Sequence, residues 1–316
     1  MIRIGIVGIG YLGRIHVSVL QELAAQFEVV GIYDHKPIDG LETSAALQAL
    51  PFFESYQALI GSADAVAIIA STPAHFLLAK EALLAGKAVF IEKPMCATLK
   101  EAQELHELAL QQQQSFVQVG HVERFNPVLT AASSYSTAHK LLAFESCRTA
   151  PFQQRGSEVS VVLDLMIHDL DLLLAHTSSQ VVAIEVVAKS QKSSFSDEVE
   201  ASIAFEDGLN AKLFASRISD QRQRTLRLQM PEHTLALDLL EKTASVQLNS
   251  GSEIEALEVV TSNALQTQWL DFASAYQAGH APRVGAEAGL RALELALEID
   301  ARAQAQIAQN SKHFIQ

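Results

Sequence analysis

The chain has only two cysteines in 316 residues, Cys96 and Cys147, far apart and in no C-x-x-C spacing. That excludes a disulfide framework and a cysteine-ligated zinc site, and it fits a reducing, cytoplasmic setting in which each thiol serves as a small buried hydrophobe. No apolar run approaches the roughly 20 residues of a membrane span. The chain opens on a strand pattern rather than a charged and then apolar leader, so no secretory signal is expected. Basic residues are scarce, 23 Lys and Arg against 36 Asp and Glu, for a formal net charge of -13. Such a balance disfavours nucleic acid or an anionic membrane surface as a partner. Low-complexity tracts and internal repeats are absent. The length exceeds one ordinary core and suits two domains.

What is present begins at residue 3. An apolar strand, RIGIV, runs into Gly8-Ile9-Gly10-Tyr11-Leu12-Gly13, and a second apolar run, EVVGIY, ends in Asp34. Gly8 permits the tight turn, Gly10 lets the backbone approach a pyrophosphate, and Gly13 lets the next helix pack close to the strand. That helix, from Tyr11 to about Ala25, points its N-terminal amides and positive dipole end at the phosphates. Asp34 follows Gly13 by about 20 residues, where a carboxylate binds the adenosine ribose hydroxyls and repels a 2'-phosphate. NAD is therefore favoured over NADP, a preference that Lys36, two residues on, softens.

The alternation continues with helices at Leu41 to Leu50 and Tyr56 to Ile60, a strand ending at Ala70, a helix from His75 to Ala85 and the strand KAVFI. A helix from Thr98 to Gln112 and the strand SFVQVG at 115 to 120 complete it. Continuous Val, Ile and Ala runs separated by helices imply a doubly wound α/β parallel sheet, and the ligand of such a sheet lies beyond the strands' carboxyl ends. Those ends carry Gly8, Asp34, Ser71-Thr72-Pro73, Glu92-Lys93-Pro94 and Gly120-His121. After residue 120 the rhythm changes. A helix at Asn126 to Ser134 and a strand at Leu141 to Arg148 precede an apolar helix at Val159 to Ala175. Alternating strands follow between Val181 and Leu239, with Glu206-Asp207-Gly208 as a hairpin turn. Helices at Ala264 to Ala278 and Ala286 to Ala308 finish the chain. The expected organisation is a dinucleotide-binding domain at 1–120 and an α+β domain at 121–316. The second domain has a mostly antiparallel sheet whose exposed face supports oligomerisation, and the last helices pack back on the first domain.

Two groups carry proton chemistry. Lys93, after the strand KAVFI, sits where an ammonium beside a nicotinamide orients a substrate hydroxyl and stabilises alkoxide character. The Lys93-Pro94 bond offers a cis turn. The second group lies in VVLDLMIHDLD, where Asp164, His168 and Asp171 fall on one helical stripe roughly 60° wide among leucines. An imidazole suits a proton acceptor, and an aspartate one turn away orients it. By spacing alone, an ordinary loop lysine and a core histidine satisfied by Asp164 remain open.

The combination of GIGYLG, STPAH at 71–75, EKP at 92–94 and the D-x-x-x-H of Asp164 and His168 resembles the glucose-fructose oxidoreductase, inositol dehydrogenase and MocA family. The motifs come in that family's order and cover the whole chain. The resemblance implies an NAD(P)-binding Rossmann domain followed by a domain with a large open sheet. It places Lys93 and His168 at the catalytic positions with Asp164 assisting, and Thr72, Pro73 and His75 along the nicotinamide side. Gly8, Gly10, Tyr11, Leu12, Gly13, Asp34, Ser71, Glu92 and Lys93 complete the expected cofactor site. Some members carry tyrosine where this chain has His168, which puts it nearer the alcohol-oxidising branch.

VGHVERFNP at 119–127, DLMIHDLD at 164–171 and ASRISDQRQRTLRL at 215–228 further resemble a bacterial subgroup that oxidises the 3-hydroxyl of a UDP-linked amino sugar. Its keto product is aminated on the way to an amide-linked lipid A precursor. Arg148, Arg155, Arg217, Arg222, Arg224 and Arg227 concentrate in the second domain of an acidic protein, and guanidinium forks suit a diphosphate. Lys93, His121, Arg124, Arg148, Asp164, His168 and Arg217 are the expected substrate contacts, with a homodimer or homotetramer built through the second-domain sheet and no metal. A free sugar or inositol dehydrogenase, a redox-neutral glycosidase with recycled NAD, and a catalytically silent NAD-binding module are the competing readings.

Overall fold

The computed structural model describes residues 1–35, 45–111, 116–136, 140–154 and 156–313. In chain order the first stretch runs β1 (Ile2–Val7), α1 (Tyr11–Glu22), β2 (Phe27–Tyr33), α2 (Ala45–Gln48), α3 (Tyr56–Ser62) and β3 (Ala65–Ile68). It continues with α4 (Thr72–Leu84), β4 (Ala88–Ile91), α5 (Leu99–Gln111) and β5 (Val117–Val119). After a 3-10 turn at Val122–Phe125 come α6 (Pro127–Ala131), α7 (Ser133–Ser136), β6 (Ala143–Thr149), a π-helical turn at Val162–Met166 and α8 (Ile167–Leu174). Then follow β7 (Val181–Lys189), β8 (Glu198–Phe205), β9 (Asn210–Ser216), β10 (Gln223–Gln229) and β11 (His233–Asp238). The chain ends with β12 (Thr243–Leu248), β13 (Ile254–Leu257), α9 (Ala264–Ala278) and α10 (Ala286–His313). These elements form two compact units: Met1–Val122 with Asn263–Leu290, and Glu123–Ser262 with the chain from Arg291 on.

The first unit is the parallel sheet that the alternating pattern predicts, in the order β2-β1-β3-β4-β5. Every residue of β3 and β4 is buried, as strands covered on both faces require. On one face Ile4, Ile6, Ala67 and Phe90 pack with Val17 and Leu20 of α1 and with Trp269 and Phe272 of α9. On the other, Gly5 lets α3 approach: a Cβ there would stand 2.7 Å from Cγ of Leu59. The late helix α9 is tied to β5 by two buried glutamines. Gln118 Nε2 donates to the Gln268 carbonyl at 3.0 Å, and Gln268 Nε2 to the Val119 carbonyl at 3.3 Å. Of the helix expected at Leu41 to Leu50, only α2 and the residues after it fall within the described chain.

The second unit is built on an eight-stranded sheet, β13-β12-β11-β10-β6-β9-β8-β7. Its neighbouring pairs are antiparallel except β6 and β9, which run parallel. The strands alternate in burial, so one face carries Phe144, Leu213, Leu226 and Leu235 against Leu170 and Leu173 of α8 and Leu295 and Ile299 of α10. The Glu206-Asp207-Gly208 turn forms as expected, with Gly208 at φ +90. Two strands, β12 and β13, were not anticipated, because TASVQL and IEAL are too polar to stand out. The apolar helix expected at Val159 to Ala175 also differs. Its first turn is π-helical, so an α-helical period does not describe the side chains across it.

Candidate active site

At the carboxyl ends of β1 to β3 the glycine turn is set by backbone crowding. Gly8 has φ +91, and a Cβ there would lie 2.6 Å from the Ala70 nitrogen; one on Gly13 would lie 2.0 Å from the Gly8 carbonyl oxygen. Gly10 is different: nothing lies within 4 Å of an added Cβ. Gly10 is also the N-cap of α1 and brings no capping side chain, which suits helix amides that hold a phosphate. The cleft beside it, about 450 Å³, is lined by Gly8, Gly10, Arg14, Asp34, Ser71 and Ala74 among others. Asp34 does more than face this space. Its Oδ2 accepts the Ile9 N–H at 2.8 Å, and its Oδ1 lies 3.1 Å from Nδ1 of His35. The open cradle under Gly10 and the ribose-directed carboxylate fit a dinucleotide. Tyr11 is exposed, whereas the partly buried Leu12 side chain packs against the core.

Lys93, partly exposed, follows β4 through Glu92, and the Lys93-Pro94 bond is cis. Behind it runs a buried relay that the sequence did not disclose. Trp269 Nε1 donates to His16 Nδ1 at 3.1 Å, which leaves His16 Nε2 to donate to Glu92 Oε1 at 3.1 Å. Glu92 Oε2 in turn accepts the Lys93 backbone N–H at 3.1 Å. Burial pushes the Glu92 carboxyl up, but the His16 hydrogen bond and the Lys93 charge and N–H outweigh it and hold it below the ordinary carboxylate range. Glu92 and His75, both expected to line the cofactor, therefore stand behind the rim. His75 is 1% exposed, with Nδ1 3.0 Å from the Pro94 carbonyl and Nε2 3.0 Å from that of Ala70. It braces the loop that carries Lys93 against the end of β3. Ser71, Thr72 and Pro73 open α4 with no side-chain cap, a second helix start on the same rim. His121, expected on the substrate, is 1% exposed just beyond β5.

In the second unit Asp164 lies in the π turn and His168 in the first turn of α8, both partly exposed. Asp171, expected on the same stripe, is taken by a protein partner. It is 1% exposed and accepts Arg124 in a fork, Nε to Oδ2 at 2.6 Å and Nη2 to Oδ1 at 2.9 Å. Arg148, expected to meet a diphosphate, is instead 3% exposed and internal. Its Nη2 donates to Asp169 Oδ1 at 2.6 Å and its Nη1 to Glu123 Oε1 at 2.9 Å. Burial pushes Glu123 up, and the Arg148 charge reverses this to leave it low. Arg217 is internal as well, paired with Asp197 at 2.9 Å. The guanidinium groups of Arg124, Arg148 and Arg217 are thus committed to protein acceptors, each to at least one carboxylate. Arg224, 47% exposed on its side chain and 3.2 Å from Glu123, lies at the surface of this cluster. Arg155 lies outside the described residues. Among the described residues no three His, Cys, Asp or Glu side chains group to hold a metal ion, and no helix is long and apolar enough to cross a membrane.

Comparison with known proteins bears on this geometry. The model of an oxidoreductase family with an NAD-binding Rossmann fold matches residues 2–121. UDP-N-acetylglucosamine 3-dehydrogenase from Acidithiobacillus ferrooxidans is 30% identical over 94% of this chain and 96% of its own. A solved structure of that enzyme matches with a TM-score of 0.89 over 97% of this chain and 99% of its own. Inositol 2-dehydrogenase from Acidothermus cellulolyticus is 25% identical over 59% of this chain and 57% of its own. An NAD-binding oxidoreductase from Klebsiella pneumoniae shares the fold, at a TM-score of 0.84 and 16% identity over 96% of this chain and 97% of its own.

Proposed function

The chain belongs to the glucose-fructose oxidoreductase, inositol dehydrogenase and MocA family of NAD-binding oxidoreductases, and on that premise we propose that it oxidises the 3-hydroxyl of UDP-N-acetylglucosamine to a ketone. The observation that carries the substrate is the 30% identity to a UDP-N-acetylglucosamine 3-dehydrogenase along nearly the full length of both chains. Bound NAD supplies the hydride acceptor. His168 takes the hydroxyl proton, Asp164 orients the imidazole from one turn earlier, and the Lys93 ammonium donates to the substrate oxygen as it gains alkoxide character. The products are a 3-keto sugar, reduced nicotinamide and a proton. Such a ketone suits an aminotransferase that leads to an amide-linked lipid A precursor. The exposed Arg222 and Arg224 are the guanidinium groups suited to the diphosphate.

The test is reduced-nicotinamide formation across a panel of UDP-sugars, free sugars and cyclitols, with the keto product trapped by an added aminotransferase. His168→Ala and Lys93→Ala are expected to lose turnover by about 10²–10⁴-fold while retaining NAD. Near-normal turnover in either variant refutes the assignment of roles. Activity on inositol without UDP would favour the cyclitol reading, for which the 25% identity to an inositol 2-dehydrogenase is the support.

We further propose self-association through the sheet face opposite the core. It holds a shallow cleft of about 650 Å³, lined by Glu145, Lys212, Phe214, Arg227 and Asp238 among others. Lys212 pairs with Glu200 at 3.0 Å, and Arg227 stands 3.8 Å from Glu145. A face that presents both signs of charge meets one requirement of a two-fold interface, which must be complementary to itself. Arg227→Glu is expected to lower the sedimentation coefficient; an unchanged value in an oligomeric protein, or a wild-type protein that is itself monomeric, refutes the surface.

A further inference from the structure

The helix that carries Asp164 and His168 is entered through a loop clamped from a distance in sequence by one guanidinium. Arg217 follows β9 and is 4% exposed. Its Nη1 donates to the carbonyl oxygens of Gly156 at 2.8 Å and Val159 at 2.7 Å. Its Nε donates to Asp197 Oδ1 at 2.9 Å and its Nη2 to Ser193 Oγ at 2.8 Å. Asp197, wholly buried, is itself anchored. Its Oδ2 accepts the N–H groups of Gln191, Lys192 and Ser193 at 2.7, 2.6 and 3.1 Å, and its Oδ1 accepts the Ser193 hydroxyl at 2.7 Å. The same segment reaches the helix directly, because the Ser196 carbonyl accepts the Val161 N–H at 2.9 Å.

The far end of this clamp is the Asp164 carboxylate. Gly156 has φ +82, and a Cβ built there would stand 2.7 Å from Asp164 Oδ2. The backbone that Arg217 holds by its carbonyl is therefore the wall against which that carboxylate rests. A guanidinium with four protein acceptors in a buried site has few other arrangements, so the wall is rigid.

We infer that Arg217, anchored by Asp197, is a positioning residue that fixes Asp164 beside His168 by holding the carbonyls of Gly156 and Val159. The inference rests on the roles proposed above for His168 and Asp164. It assigns Arg217 to the machinery behind those groups rather than to the diphosphate. Arg217→Lys keeps the charge and loses the fork.

The test is a double-mutant cycle on kcat, with NAD and UDP-N-acetylglucosamine, between Arg217→Lys and Asp164→Ala. Arg217→Lys is expected to lower kcat about 10-fold or more with the KM for NAD within twofold, and to cost nothing further in the Asp164→Ala background. In the protein without cofactor, amide exchange over 156–168 is expected to rise while the urea midpoint of the rest of the chain holds. A substrate diphosphate contact predicts instead a raised KM for the UDP-sugar with kcat retained, and a plain stability role predicts independent, multiplying losses. Either result overturns the inference. Full turnover in His168→Ala marks failure of the parent reading instead. If Arg217→Lys does not fold, Ser193→Ala removes one contact on the guanidinium and carries the same cycle.

Discussion

Replacing Gly10 by alanine separates binding from folding within the glycine turn. Gly10 has φ -64 and ψ -170, open to any L residue, and an added Cβ meets nothing within 4 Å. Stability is therefore expected to change by less than about 1 kcal/mol, because the gain from a stiffer unfolded chain is offset by alanine's poorer fit at the N-cap. Gly13→Ala puts a methyl 2.0 Å from the Gly8 carbonyl oxygen, and Gly8→Ala demands φ +91 with a methyl 2.6 Å from the Ala70 nitrogen. Each of these costs about 1–3 kcal/mol or more.

The ligand reverses the order. NAD at about 100 times its Kd adds about 2.7 kcal/mol to the wild-type protein. If the Gly10 methyl occupies the pyrophosphate's place and weakens binding about 100-fold, the same NAD concentration adds only about 0.4 kcal/mol. Urea unfolding with and without NAD, read from the single tryptophan, Trp269, buried in this unit, measures both quantities; titration calorimetry checks the affinity. Undiminished stabilisation of Gly10→Ala by NAD refutes the reasoning. So does a Gly10→Ala protein as unstable as Gly13→Ala.

Asp34→Asn keeps an acceptor for the Ile9 N–H and should hold stability within about 0.5 kcal/mol, whereas Asp34→Ala loses about 1–3 kcal/mol; both should narrow the ratio of NAD to NADP affinity, measured by calorimetry. His16→Leu strands the Trp269 N–H and the Glu92 carboxylate, for an expected loss of about 3–5 kcal/mol in urea, and His16→Gln, which restores a donor, should lose less. Arg148→Ala leaves Asp169 and Glu123 buried without their cation and should cost a similar amount, most of it recovered when Asp169→Ala and Glu123→Gln are added. Acid should destabilise the protein in two stages. Burial pushes His75 below the imidazole range, and Asp197 is held low because the N–H groups of Lys192 and Gln191 and the Ser193 and Arg217 hydrogen bonds outweigh its burial. With Glu92 and Glu123 also low, each group binds a proton more readily unfolded. The contribution of these four groups is full above about pH 7, falls first below about 6.5 and falls again below about 4.5, the second fall opposed by Asp169 and Asp300, which burial pushes up. A urea midpoint that is flat from pH 7 to 4 would contradict this.

How much of this was legible in the sequence follows from which forces leave a periodic trace. The parallel sheet was legible because AVAI and AVFI are buried on both faces, and the glycine turn because only glycine tolerates the closeness of Gly8 to Ala70. The His16, Glu92 and Trp269 relay left no trace, since three residues joined across |i−j| of 76 and 253 obey no local spacing. The stripe of Asp164, His168 and Asp171 assumed an α-helical period through a turn that is π-helical. The arginines are the instructive case, because their places were readable and were not read. Phe144, Ser146 and Arg148 share one parity of β6 and are all buried, while Glu145 on the other parity is exposed. Ala211, Leu213 and Ala215 share a parity of β9 that Arg217 continues, and Arg217 is buried with them. A guanidinium on the core side of a strand is costly without an anion. Its parity therefore predicts a buried carboxylate elsewhere in the chain before any ligand is considered, and Asp169 and Asp197 are those carboxylates.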